Sequence, residues 1–105
     1  MRIITATIIL IGLVFVSCKK DENNVTPACD GSNPNYNSFV QSVMSSHCIS
    51  CHSDMATYAG LSVYLNNGSF AKEVLTDQTM PQGGSLDATT LNKLQCWVDN
   101  GFPEN

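Results

Sequence analysis

The sequence Cys48-Ile49-Ser50-Cys51-His52 is the most informative stretch of this chain. Two thiols stand three positions apart, and an imidazole follows the second thiol directly. A pair at this spacing fits within one turn of chain, so both sulfurs can bind one partner while the imidazole approaches the same partner. The motif therefore predicts either a cofactor or metal site, or a redox-active pair of thiols.

Three kinds of site use a Cys-x-x-Cys pair. A thioredoxin-like redox site needs a βαβ surrounding, which this sequence does not predict. A zinc site needs a fourth ligand, but a second Cys-x-x-Cys and a paired histidine are both missing, and His47 is the one other histidine. The third kind is the attachment motif of c-type haem. We predict one covalent haem c on Cys48 and Cys51, with His52 as the proximal iron ligand.

Haem iron has room for a distal ligand on the other face. The candidates are Met44, Met55, Met80 and His47. Met44 falls on the apolar stripe of a predicted helix, so core packing is its expected role. Met55 and His47 lie too close to His52 in sequence to reach the opposite face. Met80 precedes a proline- and glycine-containing loop, and proline favours an extended residue before it. We therefore predict Met80 as the distal ligand.

Helical signals flank the motif. Apolar residues from Tyr36 to Met44 recur at helical spacing, with Asn33 as the expected N-cap and an end near Ser45 or Ser46. Further along, residues 57–65 and 70–75 are expected to form short helices, separated by a turn at 66–68.

The last helix has the clearest boundaries. Asp87 is a good N-cap, and Leu86 and Leu91 can form a hydrophobic staple across it. Gly101 suits the left-handed residue that ends a helix. Trp97 falls on the apolar face of this helix, which indicates core packing. The sequence thus predicts an all-α fold.

The N-terminal residues carry export signals. Residues 3–16 are almost wholly apolar, which is too short for a membrane-spanning helix of about 20 residues but fits a secretory signal. The following Phe15-Val16-Ser17-Cys18 resembles a bacterial lipobox, in which the cysteine becomes lipidated. We predict a lipoprotein signal peptide over 1–17, a tether lipid-anchored at Cys18 over 18–32, and one domain over 33–105 in the cell envelope.

Five cysteines in a short exported chain require an explanation, because its compartment is oxidising. Lipid and haem account for three of them, which leaves Cys29 and Cys96. Cys96 lies on the polar side of the last helix, where it can reach a segment that crosses the outside. We predict a Cys29–Cys96 disulfide; two free thiols, or pairing with another chain, are the alternatives.

Charge narrows the range of partners. Nine acidic residues outnumber five basic ones, giving a net charge of −4. An acidic chain with scattered lysines is a poor nucleic-acid binder, so we do not expect nucleic acid to be a partner. A charged protein partner is expected to be basic.

Beyond the attachment motif, two further stretches carry a family resemblance. Met80-Pro81-x-Gly83-Gly84-x-Leu86 and Leu94-x-x-Trp97-Val98-x-x-Gly101-x-Pro103 follow it in order. Together the three resemble the small monohaem cytochrome c domains of bacterial envelopes. The resemblance implies a cytochrome c-like fold, with the N- and C-terminal helices packed around one haem ligated by His52 and Met80. It says nothing about Cys29 and Cys96.

These predictions indicate an electron carrier that cycles Fe(III)/Fe(II) and serves redox proteins of the envelope. No acid–base pair or nucleophile is visible, so we do not expect an enzyme. Two alternatives stay open: a five-coordinate haem protein that binds a gas or peroxide if Met80 is not a ligand, and a disulfide-stapled lipoprotein without haem.

Overall fold

A computed structural model of the chain describes residues 26–105, and every regular element in that range is helical. A π-helical segment, Tyr36–Val40, leads into helix α1, Gln41–His47. A 3-10 turn, Ser53–Ala56, precedes helix α2, Tyr58–Asn66. A second π-helical segment, Ala71–Thr76, precedes helix α3, Ala88–Asp99. The all-α prediction is therefore confirmed for this part of the chain.

The signal peptide over 1–17, the lipid site at Cys18 and most of the 18–32 tether lie outside the described residues. Across residues 26–105, no helix is long and apolar enough to cross a membrane.

The first helical segment begins two residues later than predicted. Asn35 is its N-cap, because its Oδ1 accepts a hydrogen bond from the Ser38 amide at 2.8 Å. Asn33, the expected cap, instead accepts a hydrogen bond from the Asn100 side chain at 3.2 Å. The cap was misassigned because both asparagines suit the role, and the contact that separates them is distant in sequence. The helix continues to His47, slightly beyond its predicted end.

Local signals placed the last helix correctly. The carboxylate of Asp87 accepts a hydrogen bond from the Thr90 amide at 2.7 Å, as expected of an N-cap. That bond lowers the pKa of Asp87, so the cap stays ionised. Gly101 has φ +83, the left-handed conformation that ends many helices. Leu86 and Leu91 are both buried.

The chain closes at its C-terminal end through hydrogen bonds to backbone carbonyls. The carbonyl of Pro103 accepts from the Tyr36 amide at 3.0 Å and from the Trp97 indole at 2.9 Å. The Tyr58 hydroxyl donates to the carbonyl of Phe102 at 2.9 Å. Phe102 adopts φ +45, an unfavourable conformation for its side chain, which these bonds help to hold. The end of the chain is thereby fixed against the start of the first helical segment.

One hydrophobic core joins the elements. Buried residues come from both π-helical segments and all three α-helices; those with no exposed surface are Val40, Leu61, Leu94, Cys96 and Trp97. Trp97 meets Phe70 and Phe102 edge to face, with ring centroids 6.2 and 6.1 Å away. The predicted core role of Trp97 is confirmed.

The Cys29–Cys96 disulfide is present, with the two Cα atoms 4.4 Å apart. It fixes the segment before the first helix to α3. Cys96 is fully buried although it lies among polar neighbours on the helix, because the segment that carries Cys29 covers it.

We expect Leu94→Ala to lower the free energy of unfolding by about 2 to 5 kcal/mol, because it removes a fully buried side chain from the core. Val63→Ala is the matched control, since Val63 is 61% exposed and should change stability by less than about 0.5 kcal/mol. Urea unfolding followed by circular dichroism measures both. Equal losses for the two variants would contradict this account of the core.

Candidate functional site

The Cys-x-x-Cys-His motif winds into a turn as α1 ends. The carbonyl of Met44 accepts hydrogen bonds from the amides of Cys48, at 2.9 Å, and Ile49, at 3.1 Å. The carbonyl of Cys48 accepts from Cys51, at 3.2 Å, and His52, at 2.9 Å. These bonds bring the two cysteines and the histidine onto consecutive turns of one compact piece of backbone. Met44 itself is 1% exposed, as its predicted core role requires.

A cavity of about 290 Å³ lies beside this turn. Its wall is mostly apolar, and its volume is close to the lower end of the range of about 300 to 1,000 Å³ typical of small-molecule sites. The lining residues are His47, Cys48, Ser50, Cys51, His52, Met55, Tyr64, Ser69, Phe70, Glu73, Val74, Met80, Pro81 and Gln82. All four residues predicted to hold haem therefore border the same cavity.

Met80 reaches this cavity on a loop tied to the second π-helical segment. The carbonyl of Glu73 accepts hydrogen bonds from the amides of Thr79, at 2.9 Å, and Met80, at 3.2 Å. The Met80–Pro81 peptide bond is cis. Met80 is partly exposed and packs against the core.

The other three candidates for the distal ligand have different positions. Met44 does not line the cavity and packs in the core. Met55 lines the cavity and is 8% exposed, directly after the turn that holds His52. His47 is exposed at the edge of the cavity.

Tyr64 supports His52 from α2. The two rings meet edge to face with centroids 6.1 Å apart. The Tyr64 hydroxyl donates to the carboxylate of Asp54 at 2.6 Å, and this hydrogen bond raises the pKa of Tyr64. Asp54 belongs to the 3-10 turn that follows His52, so Tyr64 braces both the imidazole and the backbone after it.

Helix α3 contributes no side chain to the cavity wall. Phe70 lines the cavity and contacts Trp97 on its other side, so it separates α3 from the cavity. The family resemblance implied a haem between the first and last helices; here the cavity is bordered by the motif after α1, by residues 64–74 and by the Met80 loop.

Four residues that line the cavity were not predicted as site residues: Tyr64, Phe70, Glu73 and Val74. The last three share one side of a helical turn at spacings of i, i+3 and i+4, which is the signal that could have grouped them. Tyr64 gave no signal, because its contact with His52 depends on how α2 packs.

The two thiols of the motif differ in accessibility. Cys48 and Cys51 are both free cysteines; Cys51 is exposed and Cys48 is half-buried. Burial raises the pKa of the Cys48 thiol. Within residues 26–105, no three histidine, cysteine or acidic side chains are grouped so as to hold a metal ion among themselves.

No family model, curated protein or solved structure matches this chain.

In the full chain prepared without a bound cofactor, we expect iodoacetamide to alkylate Cys51 on the order of tenfold faster than Cys48 at pH 7. The buried thiol is less accessible and forms less thiolate, which is the reactive species. Peptide mass spectrometry of timed samples measures both rates, and unfolding in urea should bring them together. Faster modification of Cys48 in the folded chain would refute the difference in burial.

Proposed function

We propose that this protein is an electron carrier of the bacterial cell envelope with one covalent haem c. The observation that carries the proposal is the convergence of Cys48, Cys51, His52 and Met80 on a single, mostly apolar cavity. These residues come from two stretches of chain about 30 positions apart in sequence. Two motifs in the right order along the sequence need not meet in the folded chain, so their meeting at one cavity supports the proposal.

The donor atoms around the cavity fit a haem. Two thiols can form the covalent links, the imidazole of His52 can bind iron from one side, and the thioether of Met80 is a soft ligand for the other. Phe70 and Val74 supply apolar surface beside them. The order of these motifs resembles small monohaem cytochrome c domains, and the finer proposal of a cytochrome c-like fold rests on that resemblance.

Each residue has a distinct role in the proposed mechanism. A haem, when bound, would supply an iron that gains or loses one electron. Cys48 and Cys51 would hold the group against loss, and Tyr64, whose ring meets the His52 imidazole edge to face, would help to orient it. The thioether of Met80, as an iron ligand, would favour the reduced iron and would keep other ligands from binding there. Electron transfer without bond making is then the natural activity, so we do not propose an enzyme.

Charge supports a basic redox partner. Residues 26–105 contain seven acidic side chains and two lysines. Lys72 pairs with Asp77, and the ammonium of Lys93 lies 5.4 Å from the centre of the Phe39 ring. No lysine or arginine of the described residues lines the cavity, whereas Glu73 does. A partner with a basic surface is favoured by this field. Attachment to a membrane through lipid on Cys18 is proposed from the N-terminal sequence.

The absorption spectrum of the protein made with a working haem-attachment system tests the proposal. We expect low-spin c-haem bands, and we expect Met80→Ala to convert them to a high-spin spectrum because it removes the distal ligand. Met55→Leu is the matched control, since Met55 borders the same cavity but should leave the spectrum unchanged.

Other spectra would redirect the proposal. A high-spin wild-type spectrum would favour the protein that binds a gas or peroxide. Absence of haem on a denaturing gel would refute the cytochrome proposal and leave a disulfide-stapled lipoprotein.

We also expect Glu73→Gln to raise the reduction potential by on the order of tens of millivolts, since a carboxylate at the cavity stabilises the more positive, oxidised iron. Glu104→Gln makes the same chemical change at an exposed site away from the cavity and should leave the potential nearly unaltered. Redox titration at low and high salt measures the shift, which salt should reduce. Identical potentials in all three proteins at low salt would show that Glu73 does not act on the iron.

A further inference from the structure

The segment over residues 26–33, here called the strap, is fixed along α3. Besides the Cys29–Cys96 disulfide, the Ala28 amide donates to Asn92 Oδ1 at 3.0 Å. Nearer the end of α3, the Asn100 side chain donates to Asn33 Oδ1 at 3.2 Å. The strap therefore has a defined course on both sides of its disulfide.

The two sulfurs of this disulfide have unequal surroundings. Cys29 is exposed, whereas Cys96 has no exposed surface. Asp30 Oδ1 lies 3.4 Å from Cys96 Sγ. The Ser32 side chain and amide both donate hydrogen bonds to this carboxylate oxygen, and they lower the pKa of Asp30. A negative charge is thus held next to the buried sulfur at neutral pH.

This asymmetry determines which exchange reaction is open. A thiolate can reach only the Cys29 sulfur, where it forms a mixed disulfide, breaks the bond to Cys96 and expels Cys96 as a thiolate. That thiolate would appear buried and beside a carboxylate, and both surroundings raise the pKa of a thiol. A leaving thiol of high pKa departs slowly, and Asp30 also repels an anionic attacker. A second reductant thiolate must then attack the mixed disulfide, which releases Cys29 as a thiolate and joins the two reductant sulfurs in a disulfide.

We propose that the strap protects the Cys29–Cys96 disulfide from thiol exchange, so that it persists under reducing conditions in which Cys48 and Cys51 are thiols. The protection itself is independent of any cofactor. Its purpose rests on the proposed function, because covalent attachment of haem needs Cys48 and Cys51 as thiols, and conditions that keep them reduced would also reduce an unprotected disulfide. The two cysteine pairs thus differ because Cys96 is fully buried and Asp30 places a negative charge beside it.

The test measures the rate at which small thiols reduce the disulfide in the full chain. Cationic cysteamine, neutral 2-mercaptoethanol and anionic 2-mercaptoethanesulfonate are compared at equal thiolate concentration, with alkylation and peptide mass spectrometry to identify each cysteine. Each rate is divided by the rate of the same thiol with the chain unfolded in urea, because the three thiolates differ in nucleophilicity. We expect this ratio to be highest for cysteamine and lowest for the sulfonate. We expect Asp30→Asn to accelerate the sulfonate reaction on the order of fivefold and to narrow the difference among the three thiols.

Two further variants distinguish the effect of the Asp30 charge from the effect of a strap that is held less firmly against α3. Asp30→Glu keeps the charge and should retain the slow, charge-dependent rates, while Asp77→Asn removes an exposed carboxylate that belongs to neither the strap nor α3 and should behave as wild type. An acceleration in Asp30→Asn that is equal for all three thiols would mean that Asp30 only holds the strap in place. Unchanged rates in Asp30→Asn, or reduction of the wild-type disulfide as fast as in urea, would overturn the proposal.

The peptide mass spectra from this experiment also distinguish a failure of this inference from a failure of the proposed function. If haem is attached, Cys48 and Cys51 resist alkylation even after full reduction and unfolding. If they react in protein made with a working haem-attachment system, the haem proposal fails, but the exchange rates at Cys29–Cys96 still decide whether the strap protects its disulfide.

Discussion

The carbonyl of Pro103 holds together the two ends of the domain. It accepts one hydrogen bond from the Tyr36 amide and another from the Trp97 indole, so the start of the first helical segment, the core face of α3 and the C-terminal residues are fixed at one point. The first helical segment runs from there into α1 and then into the turn that carries Cys48. The direction in which the motif enters the cavity thus depends on a closure made by residues at the opposite end of the sequence.

Elements with strong local signals were predictable from the sequence. The cap at Asp87, the left-handed Gly101 and the apolar stripe of α3 depend on neighbours within a few residues, and all three were correct. The Cys29–Cys96 pair was also correct, because few cysteines were left to pair. The cap of the first segment was wrong, because the choice between Asn33 and Asn35 depends on Asn100, which is 67 positions from Asn33.

The walls of the cavity were harder to predict from the sequence than the four residues that were expected to hold haem. The spacing of the motif was enough to predict Cys48, Cys51 and His52 as site residues, and the loop at Pro81 was enough to predict Met80. Phe70 faces the cavity on one side and Trp97 on the other, and that double role appears only once α3 has packed. In a small helical domain, a single aromatic ring can line a cavity with one face and pack against the core with the other.

The strap's disulfide also governs how mechanical load enters the domain. A pull on the chain before Cys29 passes through covalent bonds directly to Cys96 in the last turn of α3. The residues between the two cysteines, including the whole motif and the Met80 loop, form a closed covalent ring that such a pull does not extend. Tension between the N-terminal side and the C-terminal residues would therefore be carried by residues 96–105, while the ring that contains the cavity lies outside the loaded path.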